Sequence, residues 1–316
     1  MPKVKEGWAL IKVTNAGICG TDLNIYAGGH PRAKAPLIPG HEFSGVLMQD
    51  AGSLKKGQRV TAYPLLSCGH CEPCQTGNAH VCDTLGLLGI DCDGGMAEYT
   101  AAPIDCIIPI GDDVTNAVGA FIEPIAVTVH ALRENHFMPG DNVVLFGCGT
   151  IGMATALTLR HFGASSVVIF ETDEARAAMA KKLGFAVYNP MGMDMAKEAK
   201  RLTGAGGFDW VFDCAGVQPV ADMLFDAVKV RGHIVIIAAY KKPASLPLIM
   251  GMFKETSIGF TRVYRKKDFE IAAELAAKMP EYAQIITHQL PIQEAQKGFD
   301  LLTTKGTGAV KVMYKL

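Results

Sequence analysis

Asn142-Val-Val-Leu-Phe-Gly-Cys-Gly-Thr-Ile-Gly-Met-Ala-Thr-Ala-Leu-Thr-Leu159 is the longest uncharged apolar stretch of the chain. It approaches the length of a membrane span, but three glycines interrupt its middle. The residues before them are a buried strand, and those after them open a helix. The glycines follow the pattern Gly147-x-Gly149-x-x-Gly152. The first permits a tight turn, the second lets backbone approach a pyrophosphate, and the third lets helix and strand pack closely, so that phosphate charge meets a helix N-terminus. An acid, Glu171, ends the next apolar run nineteen residues after the last glycine, where it can accept hydrogen bonds from ribose hydroxyls. The same charge repels a 2′-phosphate, which favours NAD over NADP. A glycine turn that serves packing alone is the competing reading, and the strand, turn, helix and strand context weighs against it. The candidate cofactor-binding residues are Gly147, Gly149, Thr150, Ile151, Gly152, Glu171 and Arg176.

Outward from this stretch, short apolar runs alternate with helical patterns. Val143–Phe146, Ser166–Phe170, Trp210–Asp213 and His233–Ile237 have the composition of parallel strands buried on both faces. Asp173 to Leu183 and Pro219 to Val228 are spaced as helices. This alternation predicts a doubly wound α/β sheet. The texture differs before Gly119, where strand-like runs beginning with Trp8 to Val13 are separated by Pro- and Gly-rich turns. Glu123 to Arg133 reads as a helix with Ile125, Val129 and Leu132 on one face. Asp268 to Met279 reads as another, followed by strands at Ile285 to Leu290 and Ala309 to Tyr314. The expected division is a mostly β domain of residues 1–124 and 265–316 and a nucleotide-binding domain of residues 125–264.

The bulk numbers agree with a globular protein. A chain of 316 residues fits two cores better than one. With 49% hydrophobic residues, 19% charged residues and a formal net charge of −1, nothing marks a binder of nucleic acid or of an acidic membrane. The N-terminal residues Met-Pro-Lys-Val-Lys-Glu-Gly carry no apolar core of a signal peptide, so a cytoplasmic location is the default. Nine cysteines are an odd number, which suits a reducing compartment better than a disulfide scaffold. Cys92, Cys106, Cys148 and Cys214 have apolar or glycine-rich neighbours and read as small buried residues.

Cys68, Cys71, Cys74 and Cys82 form a C-x2-C-x2-C-x7-C run. Four thiolates around one tetrahedral zinc leave no open position, so such a site is structural. Paired disulfides or reactive thiols are the alternatives. A short loop cannot bury a core of its own, and a structural zinc supplies on the order of 10–16 kcal/mol of apparent binding energy in small domains. A nucleic-acid-binding zinc ribbon is disfavoured because Glu72 and Asp83 beside the cluster are acidic. Cys19, the triplet Gly40-His41-Glu42 and Glu123 offer a second ligand set. Their separation in sequence alone says little about whether they meet.

Ala16-Gly-Ile-Cys-Gly-Thr-Asp22, Pro39-Gly-His-Glu-Phe-Ser-Gly45, the four-cysteine run, Gly95-Met-Ala-Glu-Tyr99, Glu123-Pro124 and the glycine loop stand in one order along nearly the whole chain. Together they resemble the zinc-dependent medium-chain dehydrogenase/reductase family. Glu123-Pro-Ile-Ala-Val, Val211-Phe-Asp-Cys-Ala-Gly216 and Ile286-Thr-His-Gln-Leu-Pro291 look most like its polyol and 2,3-butanediol dehydrogenase branch. The resemblance implies a GroES-like catalytic domain, a Rossmann domain, two zinc ions per chain (one catalytic, one structural) and NAD. It also implies a small alcohol or ketone substrate and a homodimer or homotetramer. Carried over by position, Cys19 and His41 bind the catalytic zinc. Glu123 completes the set directly or through water, and Glu42 stands beside the metal as an exchanging or supporting carboxylate. Asp22 orients the His41 ring and Thr21 takes the substrate hydroxyl proton. The implied reaction is hydride transfer between a secondary alcohol, a vicinal diol or polyol, and NAD. An L-threonine or sugar-phosphate dehydrogenase on the same scaffold is the first alternative, and a catalytically silent zinc and nucleotide binder is the second.

Two departures from the family pattern stand out. Many members have a histidine two residues beyond the motif's aspartate, ending a proton relay, whereas this chain has Asn24. An amide does not exchange protons near neutral pH in that way, so the relay is expected to end at water. Members also carry a longer segment before the first strand, enough for an extra strand pair. Without this hairpin a sheet edge is expected to be unpaired and sticky.

Overall fold

The computed structural model describes every residue from Met1 to Leu316. Along the chain the strands are β1 Trp8–Gly17, β2 Glu42–Leu47, β3 Arg59–Ala62, β4 Leu65–Leu66, β5 Gly86–Leu87, β6 Tyr99–Pro103 and β7 Ile107–Pro109. They continue as β8 Asn142–Phe146, β9 Ser166–Phe170, β10 Ala186–Tyr188, β11 Phe208–Asp213, β12 Val228–Ile236, β13 Ser257–Phe260, β14 Ile286–Pro291 and β15 Lys311–Lys315. The chain divides into two compact units, Met1–Ala126 with Val263–Leu316, and Val127–Arg262.

In the first unit β1 is the hub. It runs antiparallel to β2, β6 and β15, and the sheet continues as β14-β15-β1-β2-β3-β7. Ala9, Ile11 and Val13 alternate inward from β1 and meet Phe43, Leu47, Val60 and Ala102 in one core, the period-two pattern of a sheet with one buried face. The register places Gly17 opposite both Glu42 on β2 and Met313 on β15. That junction carries much of the candidate site.

The second unit is a six-stranded parallel sheet in the order β10-β9-β8-β11-β12-β13. Strand order reverses between β8 and β11, which is where ligands bind in open α/β sheets, outside the carboxyl ends of the strands. Val143–Phe146 on β8 are fully buried, as both-face coverage by helices requires. No helix is long and apolar enough to cross a membrane, and Asn142 to Leu159 divides into β8 and the helix Thr150–His161.

Three sequence expectations change. The segment Pro219 to Val228 is two short helices, Gln218–Ala221 and Leu224–Ala227, because Val228 already pairs with Phe208 as the first residue of β12. The helix expected from Glu123 begins earlier, at Asn116, and runs through Pro124 to Glu134. Of the four cysteines read as buried, only Cys148 is fully so.

Candidate metal centres and dinucleotide loop

The turn from Cys68 to Cys82 brings four sulfurs together. Cys71 Sγ lies 3.4 Å from Cys74 Sγ and 3.7 Å from Cys82 Sγ, and Cys68 Sγ lies 4.0 Å from Cys74 Sγ. A tetrahedron of thiolates at the usual zinc–sulfur distance of about 2.3 Å has edges of about 3.8 Å, so the spacing fits one zinc. Backbone N–H groups of Cys68 and Cys71 donate to the sulfurs of Cys82 and Cys68, which favours thiolate over thiol; the backbone N–H groups of His70 and Cys71 hold the Cys68 thiol down to about 6.

The second set is assembled by the sheet. Cys19 follows the end of β1, and His41 and Glu42 stand at the start of β2. Their ligand atoms lie within 4.8 Å of one another, with His41 and Glu42 buried. Asp22 Oδ2 accepts from the Cys19 backbone N–H at 2.8 Å, while its Oδ1 faces His41 Nδ1 at 3.9 Å. One carboxylate thus fixes the local turn and backs the ring. With Nδ1 turned to Asp22, Nε2 is the nitrogen left for a metal.

Asp22 Oδ1, His41 Nδ1 and Glu42 Oε2 are buried without an aligned hydrogen bond; Oδ1 and Nδ1 face each other and Oε2 lies against the Lys311 ammonium, so these groups depend on charge rather than on hydrogen bonds. The electrostatics agree. Burial alone works against charging His41, yet the Cys19 sulfur and the Asp22 and Glu123 carboxylates outweigh it and raise the ring well above its ordinary pKa. Burial pushes Glu123 up to about 7, against the pull of His41 and the hydrogen bond from Tyr264.

The remaining predicted residues are placed less uniformly. Glu123 lies outside the three-ligand cluster and its Oε1 accepts from Tyr264 Oη at 2.7 Å. Thr21 is half-buried in the helix Gly20–Tyr26, and Asn24 is exposed on the same helix. His30 is committed elsewhere: its Nδ1 accepts from the backbone N–H groups of Arg32 at 3.3 Å and Ala33 at 3.1 Å. Two residues that sequence reading missed surround the cluster. Tyr264 gives no sequence signal. Lys311 does: a single charge in Ala309-Val-Lys-Val-Met-Tyr314 is buried with its neighbours, and its Nζ donates to Glu42 Oε1 at 2.6 Å.

In the second unit the glycine loop joins β8 to its helix. Gly147 has φ +89°, a left-handed conformation that L side chains rarely adopt. A Cβ on Gly152 would lie 2.0 Å from the Gly147 carbonyl oxygen, whereas one on Gly149 would meet only the Arg176 guanidinium at 3.8 Å. The third glycine is therefore required by packing, and the second leaves space for a phosphate at the start of Thr150–His161. Glu171 is buried, accepting from the backbone N–H groups of Thr172 and Asp173 through Oε1 and of Cys148 through Oε2. It links the end of β9 to the loop.

Residues 5–112 match the family profile described as alcohol dehydrogenase GroES-like domain, and residues 150–278 match that of zinc-binding dehydrogenase. An L-threonine 3-dehydrogenase of Bacillus subtilis is 32% identical over 98% of this chain and 92% of its own length. A 2-dehydro-3-deoxy-L-galactonate 5-dehydrogenase of Pseudoalteromonas atlantica is 33% identical over 86% and 81%. The crystal structure of 2R,3R-butanediol dehydrogenase from Bacillus subtilis superposes with a TM-score of 0.92 at 27% identity, covering 100% of this chain and 94% of that one. A Sinorhizobium meliloti structure bound to NADP (TM-score 0.93, 28% identity, 100% and 94% covered) and an Escherichia coli alcohol dehydrogenase with NADH (0.91, 26%, 100% and 94%) share the fold. The chain belongs to the zinc-dependent medium-chain dehydrogenase family, oxidoreductases that combine a GroES-like and a Rossmann domain with zinc and a nicotinamide dinucleotide.

Proposed function

We propose that this enzyme oxidises, reversibly, the secondary hydroxyl of a small vicinal diol or polyol with NAD. The observation that carries the reading is the convergence of Cys19, His41 and Glu42 with Asp22 behind the imidazole. Cys19 and His41 would hold the ion, Glu123 would complete the set directly or through water, Glu42 would stand beside it as an exchanging or supporting carboxylate, and Asp22 would keep the ring oriented. When bound, zinc supplies Lewis acidity that makes a hydroxyl easier to ionise. Thr21 takes the hydroxyl proton and passes it to solvent. The dinucleotide, when bound, would supply the hydride acceptor needed to turn the carbinol into a carbonyl. The domain assignment follows: residues 1–124 and 265–316 carry the chemistry, and residues 125–264 bind the dinucleotide through Gly147, Gly149, Thr150, Ile151, Gly152, Glu171 and Arg176.

The NAD preference rests on Glu171. Glu171→Gln removes the charge and keeps one acceptor oxygen, enough for the Thr172 and Asp173 N–H groups but not for Cys148 as well, so in a variant shown by thermal melt to be folded kcat/KM with NADP should rise about tenfold relative to NAD. An unchanged ratio, measured by steady-state kinetics with both cofactors, refutes the assignment. The substrate class is tested on a panel of 2,3-butanediol stereoisomers, sorbitol, L-threonine and sugar phosphates, with zinc counted by atomic emission. Two zincs and diol turnover support the proposal; one zinc without turnover refutes it. A second reading, L-threonine as substrate, is favoured by the name of the Bacillus subtilis relative, and the same panel decides between them.

A homo-oligomer is the expected assembly. β13 is an edge strand of its sheet with Phe260 71% exposed, and the preceding helix exposes Leu248, Ile249, Met252 and Phe253, an apolar edge of the kind that two copies cover. Nine free thiols support the cytoplasm as location.

A further inference from the structure

The site contains a charge that metal binding alone does not require. Lys311 is 2% exposed, and a lysine is almost never buried to that degree without a partner. Its Nζ donates to Glu42 Oε1 at 2.6 Å and to the Ile18 carbonyl at 2.9 Å, and it also lies against Glu42 Oε2. The ammonium therefore sits in the fork of the carboxylate. Three strands build this arrangement, since β1 holds Gly17 between Glu42 of β2 and Met313 of β15. A Cβ at Gly17 would lie 2.2 Å from Glu42 Oε2 and 3.2 Å from Lys311 Cε. Only glycine leaves room for the pair.

Glu42 is thus placed where two cations want it. Its ligand atom lies within 4.8 Å of those of Cys19 and His41, and its Oε2 has no aligned hydrogen-bond donor. A carboxylate drawn fully onto the ion would fill a position that substrate needs. We propose that Lys311 is a positioning residue that competes with the metal for Glu42, holding the carboxylate back on the sheet so that the ion keeps an open coordination position. The ammonium offsets part of the negative charge that the Cys19 thiolate, Asp22, Glu42 and Glu123 would bring to the pocket beside a divalent ion, and buried charges persist when they are paired. The inference rests on the metal-binding reading above.

Cobalt(II) loaded into the Cys19/His41 site, with zinc kept in the four-sulfur site, reports coordination number through its visible d–d absorption. In Lys311→Met the freed carboxylate should bind the ion, giving the weaker absorption of a five-coordinate centre and metal loss to a chelator slowed by about tenfold. Lys311→Met/Glu42→Gln should return to the spectrum of Glu42→Gln alone, and Lys311→Arg should keep that of the parent. Gly17→Ala, whose Cβ collides with Glu42 Oε2 and crowds Lys311 Cε and Met313 Sδ less severely, keeps the lysine side chain but parts the pair; it should shift the spectrum in the same direction as Lys311→Met and serves if the latter does not fold. Parent-like spectra and chelator kinetics in Lys311→Met or Gly17→Ala overturn the proposal, as does a double variant that retains the single variant's change. A parent protein that takes up no cobalt at this site fails earlier and refutes the metal-binding reading itself.

Discussion

Cys68, Cys71, Cys74 and Cys82 come from one short turn and face one another's sulfur, local backbone N–H groups and the Thr84 hydroxyl. Cys19, His41 and Glu42 come from two stretches brought together by β1 and β2, and depend on Asp22, Glu123, Tyr264 and Lys311 from elsewhere in the first unit. The first set is complete in itself, and a zinc there has nothing left to do but hold the turn. The second leaves unsatisfied buried atoms and unbalanced charge, so its energetics are spread over residues up to 293 positions apart, as for Lys311 and Ile18. Loss at one site should appear as stability, and loss at the other as chemistry.

The largest expected effect breaks the comparison directly. Cys19→Ser should lower kcat/KM by about 10³-fold, the several kcal/mol that Lewis-acid catalysis supplies, with the melting temperature within a few degrees of the parent. Cys71→Ser should do the reverse. It should lose one zinc per chain and about 3 kcal/mol of stability, well below the full binding energy of an isolated zinc peptide because the turn is tethered at both ends, with residual activity tracking the folded fraction. Metal analysis, thermal melts and steady-state rates on both variants check the pair. Equal losses in both readouts would mean that the two sites are one cooperative unit.

A third test uses pH on metal-free protein. Glu123 is raised from 4.5 to about 7 by burial, so between these values the folded chain holds a proton that the unfolded chain has released. Stability from this group is fully present below about 4.5 and is lost as pH rises through about 7, by roughly 2–3 kcal/mol. His41, raised for its own reasons, works in the same direction at higher pH. Zinc should remove the Glu123 part of the slope by giving the carboxylate a cation, and Glu123→Gln should remove it without zinc, leaving only the His41 part above about 6.5. Denaturant melts of metal-free and zinc-loaded protein from pH 4.5 to 8 check this; a slope of the opposite sign would place Glu123 outside the influence of the pocket.

The same contrast explains what could be read from residues alone. The four-cysteine run is local, so spacing carried it. Strands β8 and β9 were legible almost to the residue because two-sided burial demands unbroken apolar runs such as Val143–Phe146. The helix Met195–Thr203 was not anticipated: it buries only Met195 and Ala199, too narrow a face to stand out. Lys311 was missed because a lone lysine in a strand reads as a solvent-facing residue, and its burial is decided by β1 and β14 on either side of β15. Cys19, His41 and Glu42 could be named from a resemblance, but their meeting depends on the pairing of Gly17 with Glu42, which no local pattern encodes.

The smallest expected effect concerns protons. A closed four-sulfur site needs no proton path, whereas the other must release one proton per alcohol oxidised. His30 is the nearest histidine in sequence to Thr21, yet its Nδ1 is occupied by two backbone N–H groups, which fixes it as a turn-stabilising acceptor. Using that nitrogen as a base would require breaking the turn. Asn24, exposed on the helix that carries Thr21, cannot substitute for it. On the role proposed for Thr21 the relay would end at water, and His30→Gln should change kcat by less than about twofold and leave the pH–rate profile in place. An ionisation in the histidine range that vanishes from the profile of His30→Gln would show that the relay runs through the turn after all, and that the open site recruits its proton carrier from outside the residues that hold the metal.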